Sequence, residues 1–393
     1  MEWKTVKIGD IVRRKIGYGI VQPGESRPCG VPVIKVNNII AGLTSVDDLE
    51  KTTEEIESKY QRTRLQGGEL IISLVGSVGN TAIVPKSFKG CNLVRATGLI
   101  DIEDPFLTKW VKYYIDSPLG QYYIKSNLNT TVQATLNVKS LVDMPIPMPD
   151  SRIIGQIVAV LSSLDDKIEN NNRINANLEA QAQAVFKSWF VDFEPFGGVL
   201  PEDWEETTIG EICKCYLGGT PSRAKAEYWN GEIPWINSGE VNKYRILEGS
   251  EYITELGLQK SATKLLPRKT TVLAITGATL GQVSLLEIEA CANQSVIGIV
   301  QNEKVPYEFI YPLILNDIEQ IILNQTGGAQ QHINKDNVES HNIIIPTDEV
   351  MAKYKAIQAP LFENIASNCF ENQRLATLRD TLLPKLMKGE VIV

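Results

Sequence analysis

The chain repeats itself. Val6-Lys7-Ile8-Gly9-Asp10-Ile11 near the start returns as Thr208-Ile209-Gly210-Glu211-Ile212, and Val31-Pro32-Val33-Ile34 returns as Ile233-Pro234-Trp235-Ile236. The run from Leu70 to Gly79 is echoed from Val272 to Gly281, and Thr131-Val132-Gln133-Ala134 faces Gly328-Ala329-Gln330-Gln331. From Gln133 onward the offset is constant at 197 residues, pairing Gln133 with Gln330 and Pro149 with Pro346. Self-similarity at so long a period means two copies of a whole domain. Two domains is also what 393 residues imply.

The constant offset runs on through a helix in each half. Ile157, Leu161, Leu164, Ile168, Asn171, Asn175, Leu178, Ala182 and Val185 step alternately by four and three residues, a coiled-coil seam with two polar interruptions. Adding 197 gives Tyr354, Gln358, Leu361, Ile365, Asn368, Asn372, Leu375, Arg379 and Leu382, so the asparagines coincide. The first helix is expected from Asp150 or Ser151 to about Phe193, where Pro195 and Gly197-Gly198 stop it. The second starts near Thr347 or Asp348, with a kink or break expected at Pro360 and an end near Pro384. Ahead of each helix, β-branched runs punctuated by glycine, such as Ile71 to Gly76 and Val296 to Val300, alternate with helical stretches around Leu107–Tyr114 and Tyr307–Leu315. Each half therefore reads as an α+β domain followed by a helix. The expected division is 1–150, first domain; 151–195, first helix; 196–348, second domain; and 349–393, second helix and tail.

Hydrophobic residues make up 43% and charged residues 22%, an ordinary globular composition. No apolar run approaches the roughly 18 residues of a membrane span, and Met1-Glu2-Trp3-Lys4 lacks a signal pattern, so a cytoplasmic protein is expected. Six scattered cysteines with no C-x-x-C, and two histidines, His332 and His341, support neither a disulfide framework nor a zinc site; reduced, mostly buried thiols are expected. No phosphate loop, dinucleotide fingerprint or methyltransferase asparagine-Pro-Pro-aromatic loop is present. Glu54-Glu55-Ile56-Glu57 reads as a solvated helix face. Net charge is -8: +2 for residues 1–150 (18 basic, 16 acidic) and -9 for 200–348 (11 basic, 20 acidic). Neither domain has the strongly basic footprint of a stand-alone DNA binder.

Certain segments nevertheless carry a specific likeness. They are Asn172-Arg173-Ile174-Asn175-Ala176-Asn177-Leu178-Glu179 with Phe186-Lys187-Ser188-Trp189-Phe190-Val191-Asp192-Phe193, the run from Glu371 through Leu375 and Leu378 to Glu390, and Gly327-Gly328-Ala329-Gln330-Gln331-His332-Ile333. Through them nearly the whole chain resembles the specificity subunits of type I restriction-modification enzymes. Thr131-Val132-Gln133 departs from the glycine-glycine-alanine-glutamine form of the second half.

The resemblance implies two target-recognition domains, each reading one half of a split double-stranded DNA sequence, held apart by two antiparallel helices in a pseudo-twofold arrangement. It implies two modification subunits that bind S-adenosylmethionine and methylate adenine, and translocating nuclease subunits that use ATP and Mg. No cofactor or metal is expected on this chain, which has no catalytic residue of its own. An antiparallel pairing of the helices sets Asn171 against Glu371 beside Asn372, and Asn175 against Ser367 beside Asn368. Such pairs are either solvated breaks or register pins, since a buried polar layer costs stability but excludes other alignments.

For DNA contact the candidates are polar side chains at strand ends and glycine turns. In the first domain they are Lys35, Asn37, Asn38, Ser73, Ser77, Asn80, Arg95, Thr97 and Gln133, with Arg13, Arg14, Lys15, Lys59, Arg62 and Arg64 for phosphates. In the second they are Asn237, Ser238, Lys243, Thr276, Thr279, Asn293, Gln294, Gln330 and Gln331. Arginine and lysine match guanine, asparagine and glutamine match adenine, and surplus cations position the backbone. Each taken singly also fits a turn or cap role. Phe186, Trp189, Phe190 and Phe193, and Leu382, Leu383, Leu386 and Met387, are either plugs against a domain or docking ridges for a modification subunit. Two rival readings of the chain remain at this point: a scaffold that binds protein partners through duplicated domains, and an enzyme of unrecognised type.

Overall fold

The computed structural model describes residues 3–129, 133–323 and 332–391. It divides into two compact units, residues 1–166 with 375–393, and residues 167–374. Each unit therefore holds one repeat domain with the start of one long helix and the end of the other.

The two domains share one topology. The first has a four-stranded antiparallel sheet in the order Gly17–Tyr18, Thr97–Ile100, Leu70–Ser73, Thr81–Ile83; the second has Lys214–Leu217, Val296–Val300, Thr271–Ala274, Val283–Leu285. Leu70–Ser73 and Thr271–Ala274 are buried at every position. They are covered on both faces, which is why they read as unbroken apolar runs without polar alternation. A three-stranded sheet follows in each: Lys51–Thr52, Val31–Ile34, Asn92–Leu93, and Glu251–Ile253, Trp229–Ile236, Cys291–Ala292, each with one parallel pair. A two-stranded ribbon ties the ends of each domain together, Lys4–Lys7 with Pro145–Met148 and Glu205–Thr208 with Asn342–Ile345.

Strand pairing corrects one detail of the repeat. Ser73 pairs with Thr97 as Ala274 pairs with Val296, so Leu70 corresponds to Thr271 and not to Val272. The reason is length: Gly79 N donates to Ser73 O and Gly281 N to Ala274 O, so the second glycine turn holds one residue more. Two glycines are required where the sheets meet. A Cβ on Gly19 would lie 1.9 Å from Leu93 O, and one on Gly218 2.1 Å from Asn293 O, far inside contact distance.

The long helices span Ser151–Phe190 and Asp348–Met387. In the first unit Ile154, Ile157, Val158 and Leu161 pack with Trp110, Tyr113 and Ile146 and with Leu383, Leu386 and Met387 of the second helix. Burial of each such side chain is worth about 1.5–3 kcal/mol. In the second unit Phe186, Met351 and Tyr354 join Phe309, Ile310 and Ile343. Of the kink or break expected at Pro360, no break occurs: the second helix runs on from Asp348 to Met387. Its flanks explain this: buried Gln358 donates to Ala182 O at 2.8 Å and Phe362 is fully buried, so packing outweighs the lost backbone bond. The first helix ends at Phe190, three residues short of the expected Phe193: Asp192 N donates to Lys187 O at 2.8 Å and Phe193 is left-handed, and Pro195 and the two glycines lie in the turn beyond. No helix among the described residues is long and apolar enough to cross a membrane.

Candidate nucleic-acid interface

In each domain the central strand leaves the sheet into a glycine turn that is gripped by a later segment. Leu136 N donates to Leu74 O at 2.8 Å and Gly76 N to Ala134 O at 2.9 Å, with Val75 bridged to Thr135. In the second domain Ile333 N donates to Ile275 O at 3.1 Å, with Thr276 bridged to His332. Thr135 and His332 are 197 residues apart, so equivalent residues of the two halves grip the turns alike. Gln133 is exposed beside Gly76; Gln330 and Gln331 lie outside the described residues. Lys35, Arg95, Thr135 and Asn137 edge a cleft of about 660 Å³ in the first domain, lined by Tyr18, Ile20, Val75 and Val94.

The cations proposed for phosphate divide into two groups. Arg13 and Arg14 both bond Asp101, and Arg14 also reaches Glu69 at 2.8 Å. Arg64 is ion-paired with Glu57. Glu54 and Glu55 are exposed as the solvated-face reading of residues 54–57 has it, but Glu57 is buried; the Arg64 hydrogen bond holds its carboxyl below the usual range against the opposing effect of burial, with help from Asn92. Lys59 pairs with Glu55 and Lys35 with Glu50. Lys15, Arg62 and Arg95 are exposed and have no ion-pair partner among the described residues.

The neutral candidates divide likewise. Ser73 and Thr97 are fully buried and turned to internal work: Ser73 Oγ donates to Ser77 O and accepts from Asn80 N, and Thr97 Oγ1 donates to Val94 O. This takes both hydroxyls away from any ligand. Asn38 Oδ1 accepts from Lys35 N as Glu240 accepts from Asn237 N, so the same cap recurs in both domains. Asn237 Oδ1 accepts from Gly239 N, Asn293 Oδ1 from Ser295 N, and Thr279 Oγ1 donates to Thr276 O. Lys243 lies 3.3 Å from Glu240. Asn37, Ser77, Asn80 and Gln294 are exposed, while Ser238 and Thr276 are half-buried.

On the helices the structure brings the four asparagines together within the second unit. Asn171 Nδ2 donates to Glu371 Oε2 at 2.8 Å and Asn372 Oδ1 at 2.9 Å, and Asn372 Nδ2 donates to Asn172 Oδ1 at 2.8 Å. Asn368 Nδ2 donates to Asn175 Oδ1 at 2.9 Å. Asn171 and Asn175 are buried. The aromatic and leucine clusters both pack against a domain, the plug alternative of the two. Phe186 and Phe190 pack on Phe309 and Tyr354, with Trp189 beside Tyr354 and Phe193 on Trp204. Leu383, Leu386 and Met387 lie in the first unit's core, with Leu382 packed against it. Phe186, Leu383, Leu386 and Met387 are buried, while Trp189, Phe190, Phe193 and Leu382 are half-buried and keep an accessible edge.

Sequence reasoning missed a buried charge cluster. Arg245, with a side chain 1% exposed, donates to Glu179 Oε2 at 3.0 Å, Tyr311 Oη at 3.1 Å and Tyr244 O at 2.8 Å. Beside it Glu287, fully buried, lies 2.9 Å from Lys269 Nζ. These partners are remote in sequence, and no local pattern marks them. Burial pushes the Cys213 and Cys215 thiols up to about 12 and those of Cys291 and Cys369 up to about 11, making them poor nucleophiles. Among the described residues no cluster fit to hold a metal occurs.

Two domains of one topology carry polar side chains on equivalent glycine turns, the frame of a binding protein with two similar sites. A family model described as "Type I restriction modification DNA specificity domain" matches residues 1–180 and again residues 201–376. The chain belongs to that family, whose role in type I systems is DNA sequence recognition without catalysis. It is 29% identical over 307 residues, 74% of this chain and 71% of the relative, to the type I restriction enzyme MjaIX specificity subunit of Methanocaldococcus jannaschii. It is 25% identical over 339 residues, 68% of this chain and 73% of the relative, to the HindI specificity subunit of Haemophilus influenzae. Its fold resembles the crystal structure of an S subunit from M. genitalium, with a TM-score of 0.60 and 16% identity over 98% of this chain and 96% of that one.

Proposed function

We propose that each domain reads one half of a split double-stranded DNA sequence, and that the chain works in the cytoplasm inside a complex with two modification subunits and with restriction subunits. S-adenosylmethionine, ATP and Mg belong to those partners. The observation that carries this reading is the duplicated frame: two domains of one topology place different polar side chains on equivalent turns, as two different half-sites require. The charge of -8 supports an assembly, because phosphate neutralisation then draws on cations of the modification subunits. Docking of a modification subunit is served by exposed helix side chains such as Ile174, Ile357 and Leu378, together with the half-buried edges of Trp189, Phe190, Phe193 and Leu382.

A gel-shift series with and without modification subunits tests this. Sequence-specific binding is expected from the assembled complex, and its absence from both preparations overturns the reading. Replacing residues 1–150 with the matching domain of a relative should alter one half of the methylated sequence and leave the other half intact.

A further inference from the structure

Strand register identifies one position where the two domains present different chemistry on the same scaffold. In the first domain Thr97 N donates to Val94 O at 2.9 Å, closing a turn whose Ala96 O accepts from Leu74 N at 2.7 Å. In the second, Val296 N donates to Asn293 O at 3.1 Å and Ser295 O accepts from Ile275 N at 3.0 Å. The first residue inside each turn is Arg95 in one domain and Gln294 in the other, and both are exposed. Thr97 Oγ1 also donates to Val94 O and Asn293 Oδ1 accepts from Ser295 N, but no bond that shapes either turn uses the Arg95 or Gln294 side chain, which is left to face a ligand.

Arg95 stands at the cleft with its guanidinium 6.0 Å from the Tyr18 ring and no hydrogen-bond or ion-pair partner among the described residues. The other cation that lines the cleft, Lys35, is ion-paired with Glu50, so among the described residues Arg95 is the unpaired cation that the cleft presents. A guanidinium offers parallel donors, the match for guanine O6 and N7. Gln294 is held differently: its Oε1 accepts from Thr220 Oγ1 at 2.5 Å. That bond orients the amide, and the carbonyl oxygen keeps a second lone pair while Nε2 remains a donor. One acceptor and one donor side by side is the match for adenine N6 and N7.

Resting on the DNA-recognition reading above, we propose that Arg95 reads a guanine in the half-site of the first domain and that Gln294, positioned by Thr220, reads an adenine in the half-site of the second. Arg95 and Gln294 are then specificity-determining residues at one equivalent position, and Thr220 a positioning residue.

The test uses the assembled complex with its modification subunits, incubated with a library of randomised sites and read by methylation-sensitive sequencing. Arg95→Gln and Arg95→Ala should each lower preference for guanine at one position of one half-site by about 5- to 150-fold, leaving the other half-site unchanged. Gln294→Arg should do the same to adenine in the opposite half-site. Thr220→Val should weaken that adenine preference while leaving its neighbours intact, a shift that loss of stability alone does not produce. Retention of the wild-type preference at every position by the Arg95 variants overturns the proposal. If methylation fails altogether, titrating the variant complexes on duplexes carrying single base changes decides: loss confined to one base pair supports it, and equal loss on all sequences, the mark of a phosphate contact, overturns it. A wild-type complex without any sequence preference refutes the underlying reading instead.

Discussion

Replacing Arg245 by methionine keeps most of the side-chain volume and removes the charge, which isolates what the guanidinium contributes. Arg245 is buried and bonded to Glu179 on the first long helix, to Tyr311 and to the Tyr244 carbonyl. Without it, Glu179, with a side chain 13% exposed, loses its ion-pair partner and keeps the Tyr244 hydroxyl at 2.9 Å and Gln183 Nε2 at 3.2 Å. Glu287 retains Lys269 at 2.9 Å. Removing one member of a buried pair costs about 3–5 kcal/mol, because the other charge is stranded. With a urea slope of about 2 kcal/mol per M, that lowers the unfolding midpoint of the second unit by about 2 M. Hydrogen exchange resolved by peptide is the assay, since protection should fall across residues 167–374 and hold in the first unit. Adding Glu179→Leu removes the stranded carboxylate and should restore at least half of the loss, the signature of coupling in a double-mutant cycle. A loss below about 1 kcal/mol, or a double variant no more stable than Arg245→Met alone, refutes the argument that these charges need each other.

Three other outcomes are expected. Arg62→Gln should lower the slope of DNA affinity against salt in the assembled complex by about one phosphate contact; an unchanged slope removes Arg62 from the interface. Because Glu57 is held below its ordinary 4.5, the stability it contributes is fully present above that pH and is lost as pH falls through the lowered value. Urea midpoints of wild type and Arg64→Gln should therefore differ at pH 7 and converge in acid, and a constant difference would refute the pairing. Inserting one heptad into both long helices beside the asparagine layers adds about 10 Å, or about three base pairs. Methylome sequencing should then show both half-sites unchanged and the unspecified gap about three base pairs longer, while an active enzyme with the old gap would show that these helices do not set it.

What could be read from the chain alone followed its periodicities. The offset of 197 marked the duplicated domain, and the seam from Ile157 to Val185 marked a helix that runs from Ser151 to Phe190. The facing asparagines fell out of the same spacing. Pairing between distant residues was not legible. Arg13 and Arg14 resemble free phosphate ligands until the fold brings up Asp101 and Glu69, 88 and 55 residues away in the respective bonds. Ser73 looks like a strand-end reader until the sheet covers it. Pro360 looks like a helix breaker because propensity is local, whereas Gln358 and Phe362 show the packing that overrides it. Arg95 and Gln294 were both on the page, but only strand register revealed that they occupy one position.

Sharing the long helices between the two units orders events during synthesis. Leu161 belongs to a core that also needs Leu383, Leu386 and Met387, and Gly389 lies against the Trp3 ring. The unit made first on the ribosome is thus completed last, while residues 167–374 emerge as one uninterrupted stretch. Until the final helix turns arrive, apolar surface around Ile154 and Leu161 has no cover, a state open to aggregation or to capture by chaperones. Loss of the last helix turns would therefore harm the beginning of the protein more than the region next to them, and a released chain truncated near residue 374 should carry a finished second unit beside an unfinished first.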